Sequence, residues 1–433
     1  MRDALEVYIG EEARKVGALH FEGRHREHSV FEYDDAWIRD PTGFPISPTM
    51  PFRQRTYFTT KGSDPHSSAF PGPISDTTPD AWGRAIVRRD ETSRDHPLND
   101  FDFLIAVDDA SRMGALRFRD ASGHFVRPAI AGQPRIPPVI EIEALMRASD
   151  AVEARTQTQK DILRLLGNGS SLGGARPKCN VVDHDGTLSV AKFTSQRDTL
   201  AVERAEVATL TLANHVGIRA AEARVLGVAG RAVALIRRFD RKNGRRVPYL
   251  SAQSMLDRKR ADGSSYEAIT EVIRAHGAEP NAELRELFSR VAFTILVGNT
   301  DDHLRNHGFL YGGQGQWFLS PAFDVNPSPE RGRVLKTRIS EVSADEASID
   351  LLLKNAKLFG VHADDANKIV SEMSTTISNT WRGFMKDAGM KPREIDAYED
   401  AFRGPYSAEV KVRANKTSPA RYQTKRPDGP GRY

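Results

Sequence analysis

One cysteine, Cys179, is all that this chain of 433 residues carries. A lone thiol excludes an intramolecular disulfide framework and any zinc site built on paired cysteines, although His and carboxylate ligation stays open. Long apolar runs are also missing. Nothing approaches the roughly 18 residues of a membrane-crossing helix, and Met1-Arg2-Asp3-Ala4-Leu5-Glu6 lacks the apolar core of a secretory leader. The expectation is a cytoplasmic protein with no membrane contact. No Gly-Lys-Ser or Gly-Lys-Thr occurs, which excludes a Walker A phosphate loop. No segment repeats at a fixed period either.

What is present looks like an ordinary globular protein, 39% apolar and 28% charged. The length exceeds what one core usually holds, so two or three domains are expected. The formal charge of +4 is unevenly spread. From Lys411 onward there are seven Lys/Arg against Asp428 alone, a charge of +6; subtracting 6 from 4 leaves −2 on residues 1–410. The basic tail has Pro and Gly but no apolar periodicity, so disorder is expected there. Contact with nucleic acid or an acidic partner is one reading of the tail; a solvated tail without a specific partner is the other.

Periodicity divides the rest. Leu5-Glu6-Val7-Tyr8-Ile9 alternates as a strand, with Ala18-Leu19-His20-Phe21 as its hairpin partner. Residues 62–79 read as loop, Asp80 as the cap of a helix through Trp82, Ile86 and Val87, and Ala115-Leu116-Arg117-Phe118 as a further strand. A Pro/Gly-rich linker gives way to helical period from Ile140 to about Leu166. Asn180-Val181-Val182, the turn Asp185-Gly186 and Leu188–Phe193 form a hairpin; a helix from about Glu203 to His215 follows, then strands at 223–228 and 232–239. Beyond Arg246 the pattern is mostly helical, except for the irregular stretch 301–324. The domain boundaries expected are 1–125, a linker at 126–145, a β-rich lobe at 146–242, a helical lobe at 243–410 and the tail at 411–433.

Within this frame three groups of residues suggest chemistry. Glycines at 167, 169, 173 and 174 free backbone N–H groups to face an anion, although such a loop can equally be a flexible connector. Lys192 lies on a strand with apolar neighbours and suits phosphate neutralisation, with Glu206 as its candidate partner and Glu203 as the runner-up. A solvent-side lysine on an edge strand is the plainer reading. Asp301, Asn306 and Asp324 then provide a carboxylate to orient or deprotonate a hydroxyl and two oxygen ligands for Mg²⁺ on ATP phosphates. Asp302 could replace Asp301 if the register slips by one, and His303 is either a base or an orienting group. Arg237-Arg238-Phe239 could line an adenine pocket or form a salt-bridged strand end. Loop, lysine, helix acid, Asp/Asn pair and second Asp fall in the order of a kinase.

The chain resembles the HipA family of serine/threonine kinase toxins from bacterial toxin–antitoxin modules. The likeness rests on Ser171–Lys178, Val190-Ala191-Lys192, Arg238-Phe239-Asp240-Arg241, Asp301–Asn306 and Ser320–Val325, and more loosely on Asp108–Leu116. It implies an α+β architecture: a bilobal protein-kinase-like fold, with a small β-rich lobe and a mostly helical C-terminal lobe, preceded by a β-rich N-terminal domain. Asp301 would be the catalytic base, and Asn306 with Asp324 would hold Mg²⁺. Gly173, Gly174, Ala175, Arg176, Pro177, Lys178 and Lys192 would bind the ATP phosphates. Arg237, Arg238 and Phe239 would line the adenine, with His303 near the nucleotide. Ser171 matches the family's autophosphorylated serine, and Ser170 directly precedes it. The resemblance also implies a HipB-like helix-turn-helix antitoxin as partner, contact with operator DNA mainly through that antitoxin, and protein substrates that in the family include aminoacyl-tRNA synthetases. A silenced homologue acting as antitoxin-binding co-repressor is the alternative, and a small-molecule kinase of the aminoglycoside-phosphotransferase type is a third reading. Arg305 departs from the lysine common in the family, which keeps the charge but changes its geometry.

Overall fold

Three apolar cores organise the computed structural model, which is described over residues 2–23, 26–64, 67–90, 97–126, 136–166, 174, 176–330 and 334–402. Ser170, Ser171, Gly173, Ala175 and the tail at 411–433 lie outside the described residues. The first core sits on a five-stranded antiparallel sheet. Its strands run in the order Thr56–Thr60, His28–Tyr33, Arg14–Glu22, Arg2–Ile9 and Leu116–Arg119. The register sets Leu5 opposite Leu19 and Leu19 opposite Phe31. Alternation then delivers Leu5, Val7, Leu19, Phe21 and Phe31 to one buried face. The expected hairpin is therefore present, with longer strands.

The second core joins what the sequence suggested were separate domains. Asp80 caps the helix Ala81–Arg89, accepting from the Gly83 N–H at 2.8 Å. Trp82, Ile86 and Val87 of that helix, with Phe103 of Asp100–Ala106, pack with Leu145 and Val152 of the helix Ile142–Ala154. The same cluster takes in Cys179, Phe193, Val233 and Leu235 from a second antiparallel sheet. That sheet is ordered Lys178–Val182, Leu188–Phe193, Arg231–Arg237, Ala223–Val228. The helix Val202–His215 packs along this sheet and ends at Gly217, whose φ of +88° is left-handed.

Three local expectations are corrected. The helical span 140–166 is broken. Arg155 turns left-handed at φ +58°, and Thr158 with Asp161 forms a capping box that starts a new helix, Gln159–Leu165. The helix Ile142–Ala154 also begins inside the expected linker. The strand expected to reach Phe239 ends at Arg237, because Arg238 turns into the interface described below. Finally, the stretch 301–324 contains the strands Gly308–Gly313 and Gln316–Leu319, which pair with each other and with Tyr249–Ser251. Their turn puts Gly313, Gln314 and Gly315 at positive φ, a conformation the two glycines adopt without a Cβ penalty.

The third core fills the large lobe around the helix Pro280–Val297, flanked by Tyr266–His276 and Ala363–Asp387. Leu284, Leu287, Phe288, Val291 and Ile295 are buried, so this helix is apolar on more than one stripe and forms a rigid rod whose C-terminus presents Asn299–Asn306. No helix among the described residues is long and apolar enough to cross a membrane. The architecture is mixed α+β, with a β-rich N-terminal part and a largely helical C-terminal part.

Candidate active site

Lys192 sits where the two lobes meet. It points from its strand to the Glu206 Oε1 at 2.6 Å and the Asp324 Oδ1 at 2.7 Å. Its side chain is 12% exposed and that of Glu206 is 2% exposed, so the three charges face one another with little water between them. Burial alone would strip the Lys192 proton, but the Asp324 and Glu206 carboxylates outweigh it and hold the pKa above the ordinary lysine value. Burial would raise the Asp324 carboxyl; Lys192, then Lys178, pull it down to about 2. Glu206 goes the other way, pushed up by burial that Lys192 only partly offsets. Glu206 rather than Glu203 takes the lysine. Glu203 instead pairs with Arg176, whose guanidinium bridges it at 2.8 Å to Asp198.

The backbone at Asp324 is strained. Its φ of +56° is left-handed, a conformation uncommon for residues with a Cβ and concentrated at functional sites. Its neighbour Phe323 anchors it, packing on Phe239 with ring centroids 5.3 Å apart. Asn326 ties the segment to the helix end. Its side-chain amide donates to Asp324 Oδ1 at 3.1 Å, and its backbone N–H to Asn299 Oδ1 at 3.3 Å.

The adjacent carboxylates Asp301 and Asp302 differ sharply. Asp302 is buried and accepts from the Tyr266 hydroxyl at 2.5 Å, the Thr294 hydroxyl at 3.4 Å and His307 Nε2 at 3.1 Å. Burial works against its charge, but His307 and Tyr266 outweigh it and lower its pKa. Asp301 is 67% exposed and its Oδ1 lies 2.5 Å from Lys336 Nζ. A cation at that place had no signal in the sequence; Lys336 lies 35 positions downstream in a loop. The Asn306 amide donates to the Asp301 carbonyl at 3.0 Å, while its Oδ1 is buried with no hydrogen-bond partner. His303 Nδ1 is likewise buried without one. An amide oxygen without a partner and an ionised carboxylate, here Asn306 Oδ1 and Asp324, are the kinds of donor that suit Mg²⁺, which takes few protein oxygens and keeps several waters. Among the described residues no group of three or more His, Cys, Asp or Glu side chains is placed to hold a metal.

Lys178, Val190, Lys192, Ile236, Phe239, Phe323 and Asp324 line a cleft between the lobes, with Arg237 and Arg238 at its border. The arginines there do not offer free guanidinium groups. Arg237 is turned outward and paired with Glu222 at 2.9 Å. Arg238 spends all five N–H donors: on Asp240 at 2.8 and 2.6 Å, Asn180 at 2.8 Å, and the Ser111 and Arg112 carbonyls at 2.5 and 3.1 Å. Any adenine contact at this border falls to Phe239 and the backbone. Lys178, 3% exposed, reaches across to Asp80 Oδ2 at 3.0 Å. Gly174 beside it has a φ of +98°, where an L side chain is strained, and a Cβ there would also crowd Lys178 Nζ at 2.8 Å. Pro177 accepts from the Phe193 N–H at 2.9 Å, which fixes the loop's exit to the sheet.

A family model described as the HipA-like C-terminal domain matches residues 170–381, and one described as the HipA N-terminal domain matches residues 5–119. A Haemophilus influenzae protein provisionally named a kinase is 41% identical over 69 residues, 15% of this chain and 20% of that one. The matched stretch spans one fifth of that relative's length. Y4mE of Sinorhizobium fredii, also provisionally named a kinase, is 23% identical over 331 residues, covering 68% of this chain and 71% of its own. Among solved structures, that of the Shewanella oneidensis MR-1 toxin–antitoxin system HipA, HipB and its operator DNA matches with a TM-score of 0.67 and 16% identity. The match covers 94% of this chain and 99% of that one. That likeness is one of fold.

Proposed function

The chain belongs to the HipA family, and from that premise we propose that it is an ATP- and Mg²⁺-dependent protein serine/threonine kinase, the toxin of a toxin–antitoxin pair. The observation that carries the reading is Lys192 held between Glu206 and Asp324 in a cleft, with Asp301 exposed to solvent beside Lys336. Lys192 stays protonated and would face the ATP phosphates. Asp301 would accept the proton of an incoming serine or threonine hydroxyl, a contribution of about 10²–10⁴ in rate. Lys336, beside it, would take up charge on the phosphoryl group in transfer. Asn306 Oδ1 and the Asp324 carboxylate would hold Mg²⁺, which when bound neutralises the β- and γ-phosphate oxygens. His303 would orient the loop near the nucleotide, and Phe239 would pack on the adenine.

Ser171 would be the self-modified residue. A phosphate of about −1.5 to −2 charge in a phosphate-binding loop repels the nucleotide and so switches the enzyme off. The partner would be a HipB-like antitoxin carrying the operator contact, and the acceptor a protein of the translation machinery such as an aminoacyl-tRNA synthetase. Incubation with γ-labelled ATP tests the reading. The wild type should label itself at Ser171 and mark protein bands in a lysate, and Asp301→Asn should do neither. Equal labelling by both proteins would remove Asp301 from its role. Transfer to an aminoglycoside with none to protein would replace the proposed substrate class.

A further inference from the structure

A groove of about 400 Å³ separates the N-terminal sheet from the large lobe, and its construction suits an extended chain. One wall is Thr56–Thr60, the terminal strand of its sheet, with no strand beyond it among the described residues. Tyr57, Phe58, Thr59 and Thr60 border the groove in unbroken succession. Successive side chains of a strand point to opposite faces, so four in a row bordering one space means that the strand stands edge-on to it. Phe58 is left 65% exposed there. A strand edge carries backbone donors and acceptors awaiting another strand, and peptide ligands use such edges.

The remaining border, largely neutral, carries four cations. Arg258, Lys259 and Arg305 lie on the large-lobe side, and Arg26 on the sheet side. The acids present do not cancel them. Asp76 is half-buried and accepts from the Ser251 N–H and hydroxyl at 2.7 and 2.8 Å, which leaves exposed Asp257. Arg258 is 52% exposed, and its ion pair with Glu341 is a loose 3.9 Å. The groove also leads to the chemistry. Arg305 lies within the Asp301–Asn306 loop, and the Leu304 N–H donates to the Ala261 carbonyl at 3.1 Å, fastening the cationic loop to it.

We propose that this groove docks an extended, acidic segment of the protein acceptor, added as a strand to Thr56–Thr60 with its carboxylates toward Arg258, Lys259 and Arg305. The proposal rests on the protein-kinase reading for the identity of its occupant. A strand edge matches a peptide backbone, whereas a phosphodiester chain offers no N–H donors to it, so a peptide is favoured over nucleic acid.

Fluorescence anisotropy with a fluorescein-labelled Glu-rich peptide containing one serine tests it. The controls are a Lys-rich peptide of equal length, the Glu-rich peptide with proline at alternate positions, and a single-stranded oligouridylate. The wild type and Asp301→Asn should bind the Glu-rich peptide alike and the other three probes more weakly. Arg258→Glu with Lys259→Glu should weaken binding by roughly tenfold or more while melting at the wild-type temperature. Equal binding of the acidic and basic peptides, tolerance of alternate prolines, tighter binding of the oligouridylate, or no effect of the double substitution would each overturn the docking proposal. Failure of the kinase reading shows differently: acidic-peptide binding persists while the wild type transfers no phosphate to any protein.

Discussion

Asp301 and Asp302 are chemically identical neighbours given opposite tasks by their surroundings. The first is 67% exposed beside Lys336, and the second lies in a shell of Tyr266, Thr294 and His307. Asp301→Asn should abolish phosphate transfer with the melting temperature unchanged. Asp302→Ala should instead cost about 3 kcal/mol of stability, because it takes the Asp302 carboxylate from the Tyr266 and Thr294 hydroxyls and from a His307 ring nitrogen. Chemical denaturation beside a transfer assay separates the two. Lys192→Ala leaves Glu206 and Asp324 facing each other without their cation, and a loss of about 3–5 kcal/mol is expected in the same measurement. The pH dependence belongs to Asp324, whose folded pKa of about 2 lies below the ordinary 3.8. A depressed acid stabilises the fold above its unfolded pKa, and that contribution is lost as pH falls toward the folded one. On the order of 2 kcal/mol should therefore disappear between roughly pH 4 and pH 2. Asp324→Asn should lack this acid limb when denaturation midpoints are followed with pH.

At the scale of elements, the segment after the strand Arg231–Arg237 decides how the N-terminal domain is attached. Asp240 accepts from the Gly114 N–H at 2.7 Å, from Arg241 at 2.6 Å and from Arg238. Arg241 continues to the Ala110 and Arg112 carbonyls at 3.1 and 2.9 Å. Burial would raise the Asp240 carboxyl, but Arg238 and Arg241 outweigh it and hold it far below the usual carboxylate range. This network fastens the loop 110–114 onto the segment bordering the cleft between the lobes. Asp240→Ala leaves two guanidinium groups largely buried without their counter-charge. It should cost about 3–5 kcal/mol and open a protease-sensitive site between the domains, visible by limited trypsin digestion. The same segment holds Arg238 at the border of the cleft, where the Asp, Asn and carbonyl groups around it satisfy the guanidinium completely.

For the whole molecule, the second core means that the N-terminal domain is not an independent module. Trp82, Ile86 and Phe103 are buried against the helix Ile142–Ala154 and the small-lobe sheet. Asp80 holds Lys178 within the cleft, and Phe44 stacks on Tyr311 of the large lobe at 3.8 Å. A fragment beginning at residue 126 would expose that apolar face. It should aggregate or bind the dye ANS, where the full chain does neither. A soluble, two-state fragment by size-exclusion chromatography and thermal denaturation would count against the shared core.

Much of the local structure of this protein was legible in its sequence. Alternation marked the strands around Leu5 and Lys192, Asp80 and Gly217 marked helix ends, and the order of Lys192, Asp301, Asn306 and Asp324 pointed to phosphoryl transfer. Those signals are short-range, set by period, capping and spacing along the chain. Other features only the tertiary structure decided. Lys336 lies beside Asp301, Arg238 spends its guanidinium on Asn180, Asp240 and the Ser111 and Arg112 carbonyls, and Thr56–Thr60 ends its sheet over a groove bordered by Arg258, Lys259 and Arg305. Each depends on groups tens to more than a hundred positions apart competing for the same charge or donor. Burial and partner geometry settle that competition, and neither is written in the spacing of residues along a chain.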